Sequence, residues 1–177
     1  MHAPDCFRQQ LLSAMPRLRR YARSLVFDTA GADDLVQTAL ERALSHWHQF
    51  DQRRDMLVWL LSIAHNAFLD QYRRDSRLSV MDPAQLTQHQ DATRSDPGTD
   101  IGLRLDLLAA LAALSLDQRA PLLLVSEEQL SYAECAEVLG IPIGTVMSRV
   151  SRARATLRTL LGGHSQASSA PTLRRVV

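Results

Sequence analysis

Four arginines and no carboxylate stand between Thr145 and Leu161, and their spacing is ordered. At 100° per residue, Val146, Val150, Ala153, Leu157 and Leu160 form one apolar stripe of a helix. Thr145, Ser148, Arg149 and Arg152 lie on another face, and Arg154 and Arg158 flank them. A solvated helix usually mixes signs. A face of one sign, with short hydroxyls at its N-terminal end, suits the major groove of duplex DNA. There Thr145, Ser148, Arg149 and Arg152 approach base edges or the nearby backbone, while Arg154 and Arg158 meet phosphates. A second polar face runs through Ser62, Asn66, Asp70, Arg73 and Arg77, with Arg74 beside it. Asn66 offers an amide to a base and the arginines offer charge to phosphates. Asp70 suits an ion pair with Arg73 or Arg74 slightly better than a DNA contact. The turn from Trp47 to Asp55 then sets Trp47, His48 and Phe50 beside Arg53 and Arg54, the mixture that unstacked single-stranded bases need. Trp47 also closes an apolar stripe, which favours a core position for it over a stacking platform.

Covalent chemistry has no comparable footing. The sequence holds no phosphate loop, HExxH, CxxC or nucleophile elbow, so no catalytic residue, metal site or cofactor is expected. His46 and His48 lack a third ligand nearby. Asp33 and Asp34 read as helix caps or an interaction surface. Cys6 and Cys135 are far apart and fit a reducing, cytoplasmic compartment, with Cys135 more readily a buried inert thiol than a redox sensor.

The elements that must position these faces are helices. In 177 residues, 46% are hydrophobic but only 5% aromatic, and Leu and Ala dominate the apolar set, which favours an all-α fold. The 20 basic residues, all Arg, nearly balance 19 acidic ones, so the net charge alone neither requires nor forbids a nucleic-acid partner. No run of eighteen apolar residues is present to span a membrane. Apolar periodicity predicts helices over 8–26, from near 32 to 47, and over 54–77. It resumes over 103–116, 118–125, 131–139 and 142–161. Between the two sets, Ser79 to Ile101 hold Asp82, Asp91, Asp96 and Asp100 against Arg94 alone, a net of −3. The chain therefore reads as two small helical domains: a three- to four-helix unit at 7–78 and a four-helix unit at 103–161. A flexible acidic linker at 79–102 joins them, and 162–177 reads as a disordered tail. Within the second unit, Ser131 followed by Glu134 is a capping box, Gly140 supplies a positive φ, and Pro142 sits at the next helix start, which together make a helix-turn-helix.

Three stretches in this order resemble the extracytoplasmic function (ECF) subfamily of bacterial sigma-70 RNA polymerase sigma factors. Residues 32–43, Ala-Asp-Asp-Leu-Val-Gln-Thr-Ala-Leu-Glu-Arg-Ala, look like the family's helix for the polymerase clamp. Residues 59–74, with Asn66, Asp70, Arg73 and Arg74 in an Asn-x3-Asp-x2-Arg-Arg pattern, look like its −10 helix. Residues 139–154 are similar to its −35 helix-turn-helix. The resemblance implies core polymerase binding through Asp33, Asp34, Leu35, Gln37 and Glu41. It implies −10 contacts from Trp47, Phe50, Arg53, Arg54, Asn66, Arg73 and Arg74, and −35 contacts from Thr145, Ser148, Arg149, Arg152, Arg154 and Arg158. Core RNA polymerase, promoter DNA and an anti-sigma factor, membrane-anchored in some relatives, are the implied partners, and the acidic linker would thread toward the polymerase active site. Two departures stand out: His65 and Met147 occupy positions where relatives often carry a basic residue. A stand-alone helix-turn-helix regulator and a sigma-mimicking interaction module are the competing readings.

Overall fold

The computed structural model describes residues 3–79 and 101–165; 80–100 of the expected linker and 166–177 of the expected tail lie outside them, whereas 162–165, expected to be disordered, continue the last helix. Seven α-helices are described: α1 Asp5–Val26, α2 Thr29–Ser45, α3 Met56–Ser79, α4 Ile101–Ala112, α5 Leu116–Ser126, α6 Tyr132–Leu139 and α7 Ile143–Ser165. A single 3-10 turn, Trp47–Gln49, follows α2. None of the described helices is long and apolar enough to cross a membrane.

α1 buries Phe7, Leu11, Leu18, Tyr21, Ala22 and Leu25, a stripe at three- and four-residue steps, against α2 and α3. It ends at Phe27 in the left-handed region. Asp28 then starts α2 by accepting a hydrogen bond from the Gly31 N–H at 2.7 Å. A Cβ on Gly31 would stand 2.9 Å from that carboxylate, so the cap selects glycine there. This cap starts α2 three residues before the expected start near Ala32. Asp33 and Asp34 consequently sit in its second turn and not at its end, so neither caps it.

α3 is buried more widely than a single stripe. Met56, Leu57, Val58, Leu60, Leu61, Ala64 and Ala67 are all in the core, an arc that covers over half the helix circumference. One stripe at three- and four-residue steps, through Met56, Leu60 and Ala67 with the partly buried Trp59, Ile63 and Phe68, accounts for only part of it. The reason is that α3 packs on α1 and α2 and also on α6. In the second cluster, α5 and α6 pack on α7, and α4 lies on α7. The two helical clusters are thus present as expected, but they are not held apart. α3 meets α6, α1 meets α5, and one continuous core runs from Ala3 to Ala153.

Candidate nucleic-acid and polymerase interface

The helix-turn-helix forms as its local chemistry dictates. Ser131 Oγ accepts from the Glu134 N–H at 3.2 Å, and the Glu134 carboxylate accepts from the Ser131 N–H at 2.8 Å, which closes the capping box reciprocally. Gly140 ends α6 at φ 63°, and the Ile141 N–H returns to the Ala136 carbonyl at 3.2 Å. Pro142 precedes α7 and loses nothing by lacking an N–H; its carbonyl accepts from Thr145 and Val146. Cys135 lies wholly inside, and burial pushes its thiol up to about 12, so it is protonated and inert.

α7 then divides its faces. Val146, Val150 and Ala153 are fully buried, with Leu157 packed beside them, whereas Ser148, Arg152, Arg154 and Arg158 are exposed. Thr145 is half-buried. Ser148 Oγ donates to the Thr145 carbonyl at 2.9 Å, and Arg152 folds back on Ser148, with Nε 3.3 Å from its carbonyl. Arg149 is partly covered and pairs with Asp117 of α5 at 3.1 Å. Two large apolar side chains, Ile143 and Met147, also stand exposed at this end.

On α3, Asn66, Asp70, Arg73 and Arg74 are exposed on one side. Asp70 does form an ion pair, but with Arg42 of α2 at 3.3 Å in place of the expected Arg73 or Arg74. Arg74 reaches only the Asp70 backbone carbonyl. His65, one residue before Asn66, is 5% exposed, with Nδ1 3.3 Å from the Tyr21 hydroxyl. Desolvation pushes its pKa down to about 4, so this imidazole is neutral and turned away from any phosphate.

The turn before α3 corrects one expectation. Phe50 is only 9% exposed, its ring 5.1 Å from Trp59 and 5.7 Å from Phe7. It is an aromatic core residue and not a free stacking platform. Trp47 is half-buried against the same core, Arg53 is exposed, and Arg54 pairs with Glu137 of α6. On α2, Asp33, Asp34, Gln37 and Glu41 face solvent, with Gln37 donating to Glu41 at 2.9 Å. Leu35 is 2% exposed and belongs to the core, which corrects its expected place on the polymerase surface: in an amphipathic helix it shares the buried stripe with Ala32, Ala39 and Ala43. Among the described residues no group of three or more His, Cys, Asp or Glu is placed to hold a metal ion.

A buried-stripe helix-turn-helix carrying outward arginines, joined to a three-helix unit with an exposed Asn and Arg face, defines a bipartite DNA-reading protein of the sigma type. Residues 104–157 match the family described as Sigma-70, region 4, and residues 11–65 match the Sigma2 domain of PhyR. The chain is 38% identical over 162 residues to ECF RNA polymerase sigma factor EcfG of Rhodopseudomonas palustris, covering 91% of this chain and 88% of that protein. It is 37% identical over 131 residues to ECF RNA polymerase sigma factor SigC of Mycobacterium tuberculosis, covering 73% and 70%. The solved sigma factor RpoE of Bartonella quintana, in complex with the anti-sigma factor NepR, superposes with a TM-score of 0.81 at 35% identity, covering 90% of this chain and 98% of that one. The chain belongs to the ECF subfamily of bacterial sigma-70 RNA polymerase sigma factors. It directs promoter recognition and is not an enzyme.

Proposed function

We propose that the two clusters divide promoter reading between them. α7 docks in the major groove of the −35 duplex: Thr145, Ser148, Arg149 and Arg152 lie nearest the base edges, and Arg154 and Arg158 neutralise phosphates. α3 and the turn before it take the −10 element. Asn66 offers its amide to an extruded non-template base, Arg53, Arg54, Arg73 and Arg74 hold the strand, and Trp47 lies at the rim. Binding energy released on captured bases favours strand opening. The exposed Asp33, Asp34, Gln37 and Glu41 of α2 form the surface for core polymerase, which performs the nucleotide transfer itself. An anti-sigma factor is the expected inhibitor, as the Bartonella relative was solved with one.

The observation that carries this reading is the division of α7, whose Val146, Val150 and Ala153 are fully buried while Arg152, Arg154 and Arg158 remain outside with no carboxylate among them. The test is transcription in vitro from fragmented genomic DNA by core polymerase with and without the chain, mapping transcript 5′ ends. New starts with paired upstream elements are expected. Arg149→Ala or Arg152→Ala should lose them while keeping polymerase binding, and Asp34→Ala or Gln37→Ala should lose polymerase binding with the fold retained. Absence of new starts with active polymerase would overturn the reading in favour of a polymerase-independent regulator or a sequestering mimic.

A further inference from the structure

The two clusters meet along a seam whose centre, on α1 and the end of α5, neither promoter reading nor polymerase docking uses. On α1, Arg17, Arg20, Ser24 and Phe27 follow at steps of three, four and three, so they share one face. Each engages α5 or the turn after it. Arg17 Nε donates to Glu128 Oε2 at 2.9 Å, and its Nη2 donates to the Glu128 carbonyl. Arg20 Nε and Nη2 donate to Glu128 Oε1 and Oε2 at 2.9 and 3.1 Å. Ser24 Oγ donates to Glu127 at 3.0 Å, and the Arg119 guanidinium covers the Phe27 ring at 4.7 Å. A further pair, Arg54 with Glu137, ties the turn before α3 to α6.

Glu128 is the centre of this seam. Its carboxylate has no solvent exposure, and every side-chain hydrogen bond described for it comes from α1. A buried carboxylate persists only where its charge is answered, and here the answer comes wholly from the other cluster. The arginines themselves are about half exposed, so water can take them back when the clusters part. The seam is therefore satisfied when shut and solvated when open, as a reversible contact requires. The described non-glycine residues with positive φ are Phe27 and Gln129, and both sit at this junction.

The shut arrangement is incompatible with reading two promoter elements at once. Elements at −35 and −10 lie about 25 base pairs apart, or about 85 Å of duplex at 3.4 Å each. With α6 packed on both α3 and α7, only one short helix separates the two reading helices, far less than that span. We propose that the Glu128–Arg17–Arg20 cluster is an intramolecular latch that keeps the free chain closed, so that promoter-competent holoenzyme forms only from the unlatched state. The proposal rests on assigning α3 and α7 to separate elements, and its primary readout, a distance within the free chain, is independent of that assignment.

The test uses the full chain with spin labels on the exposed native Cys6 and on Ala155→Cys, an exposed α7 position; buried Cys135 stays unlabelled. Pulsed electron spin resonance on the free wild-type chain should give one narrow, short distance. Glu128→Gln, which keeps the shape and removes the charge, should broaden and lengthen it. Arg17→Ala combined with Arg20→Ala should do the same from the exposed side, and serves if Glu128→Gln loses helicity by circular dichroism. Both variants should bind core polymerase about tenfold more tightly, because the closed fraction no longer lowers apparent affinity. A long, broad distribution in the wild type would overturn the latch. Folded variants that keep the short distance, or that open without tighter polymerase binding, would overturn it as well. A wrong assignment of α3 and α7 would show separately, as absent promoter starts with these distances unchanged.

Discussion

Acid should destabilise this protein through His65 over a defined window. The imidazole is 5% exposed, bonded to the buried Tyr21 hydroxyl, and desolvation lowers its pKa from 6.5 to about 4, opposed weakly by Asp117. The unfolded chain takes up a proton on this histidine near pH 6.5, while the folded chain refuses it until about pH 4. Because the folded pKa is depressed, stability contributed by this group is complete above pH 6.5 and falls as the pH drops toward 4. The loss runs at about 1.4 kcal/mol per pH unit and sums to about 3 kcal/mol across the window. Urea unfolding of wild type and His65→Gln, measured every half unit from pH 7.5 to 4, isolates this term, since glutamine keeps hydrogen-bonding groups and never titrates there. The difference in stability between the two proteins should shrink by that amount, whatever constant offset the substitution introduces. A difference that stays flat between pH 6.5 and 4 would refute a neutral, buried His65 and return it to the surface, where it could serve as a phosphate contact.

Other expectations follow from single contacts. Gly140→Ala should cost about 1–2 kcal/mol, because the left-handed backbone at φ 63° penalises a Cβ even where no atom crowds it. Gly140→Asn should recover part of this in the same urea titration, and equal losses would point to packing in place of backbone conformation. Arg158→Ala should weaken binding to −35 duplex similarly for all sequences and reduce the salt slope by about one, whereas Arg152→Ala should also relax base preference; fluorescence anisotropy across a salt series separates the two. Asp117→Asn frees Arg149 from its ion pair and should tighten DNA binding by the free chain no more than about fivefold, the scale of a partly exposed pair. In native protein a maleimide should modify Cys6 alone, and Cys135 should react only after unfolding, as mass spectrometry would count.

How much of this was legible depended on whether a signal was local. The capping box at Ser131 and Glu134, the positive φ at Gly140 and the stripe Val146–Val150–Ala153 each involve neighbours within a few residues, and each formed as read. The second buried face of α3 had a signal that periodicity alone passed over. From Met56 to Ala64 only Ser62 is polar, and a helix apolar on all sides is packed on more than one side. Phe50 misled because Arg53 and Arg54 follow it three and four residues on in sequence, while its neighbours in space are Phe7 and Trp59. Leu35 was drawn into the polymerase-facing set by its motif, although its position on the helix places it with the core. Glu128 was the least accessible to sequence reasoning, since its partner Arg17 is 111 positions away and nothing in a local pattern distinguishes it from Glu127.

Carboxylates that hold arginines also bear on why a DNA-reading chain has almost no net charge. Non-specific affinity for DNA comes from phosphate neutralisation, and each arginine held by a carboxylate is one contact withheld. Glu137 occupies Arg54 across the closed seam, and Asp117 occupies Arg149 within the second cluster, one on each proposed reading surface. Each pair is partly exposed and is worth no more than about 1 kcal/mol, too little to block a promoter that engages both surfaces together. It is enough, however, to weaken binding by either surface alone, where few contacts share the cost of breaking it. Discrimination between free DNA and a promoter held by polymerase can thus arise from weak competing pairs spread over two clusters. A strongly basic chain would lose that distinction, since phosphate contacts alone would hold it on any duplex.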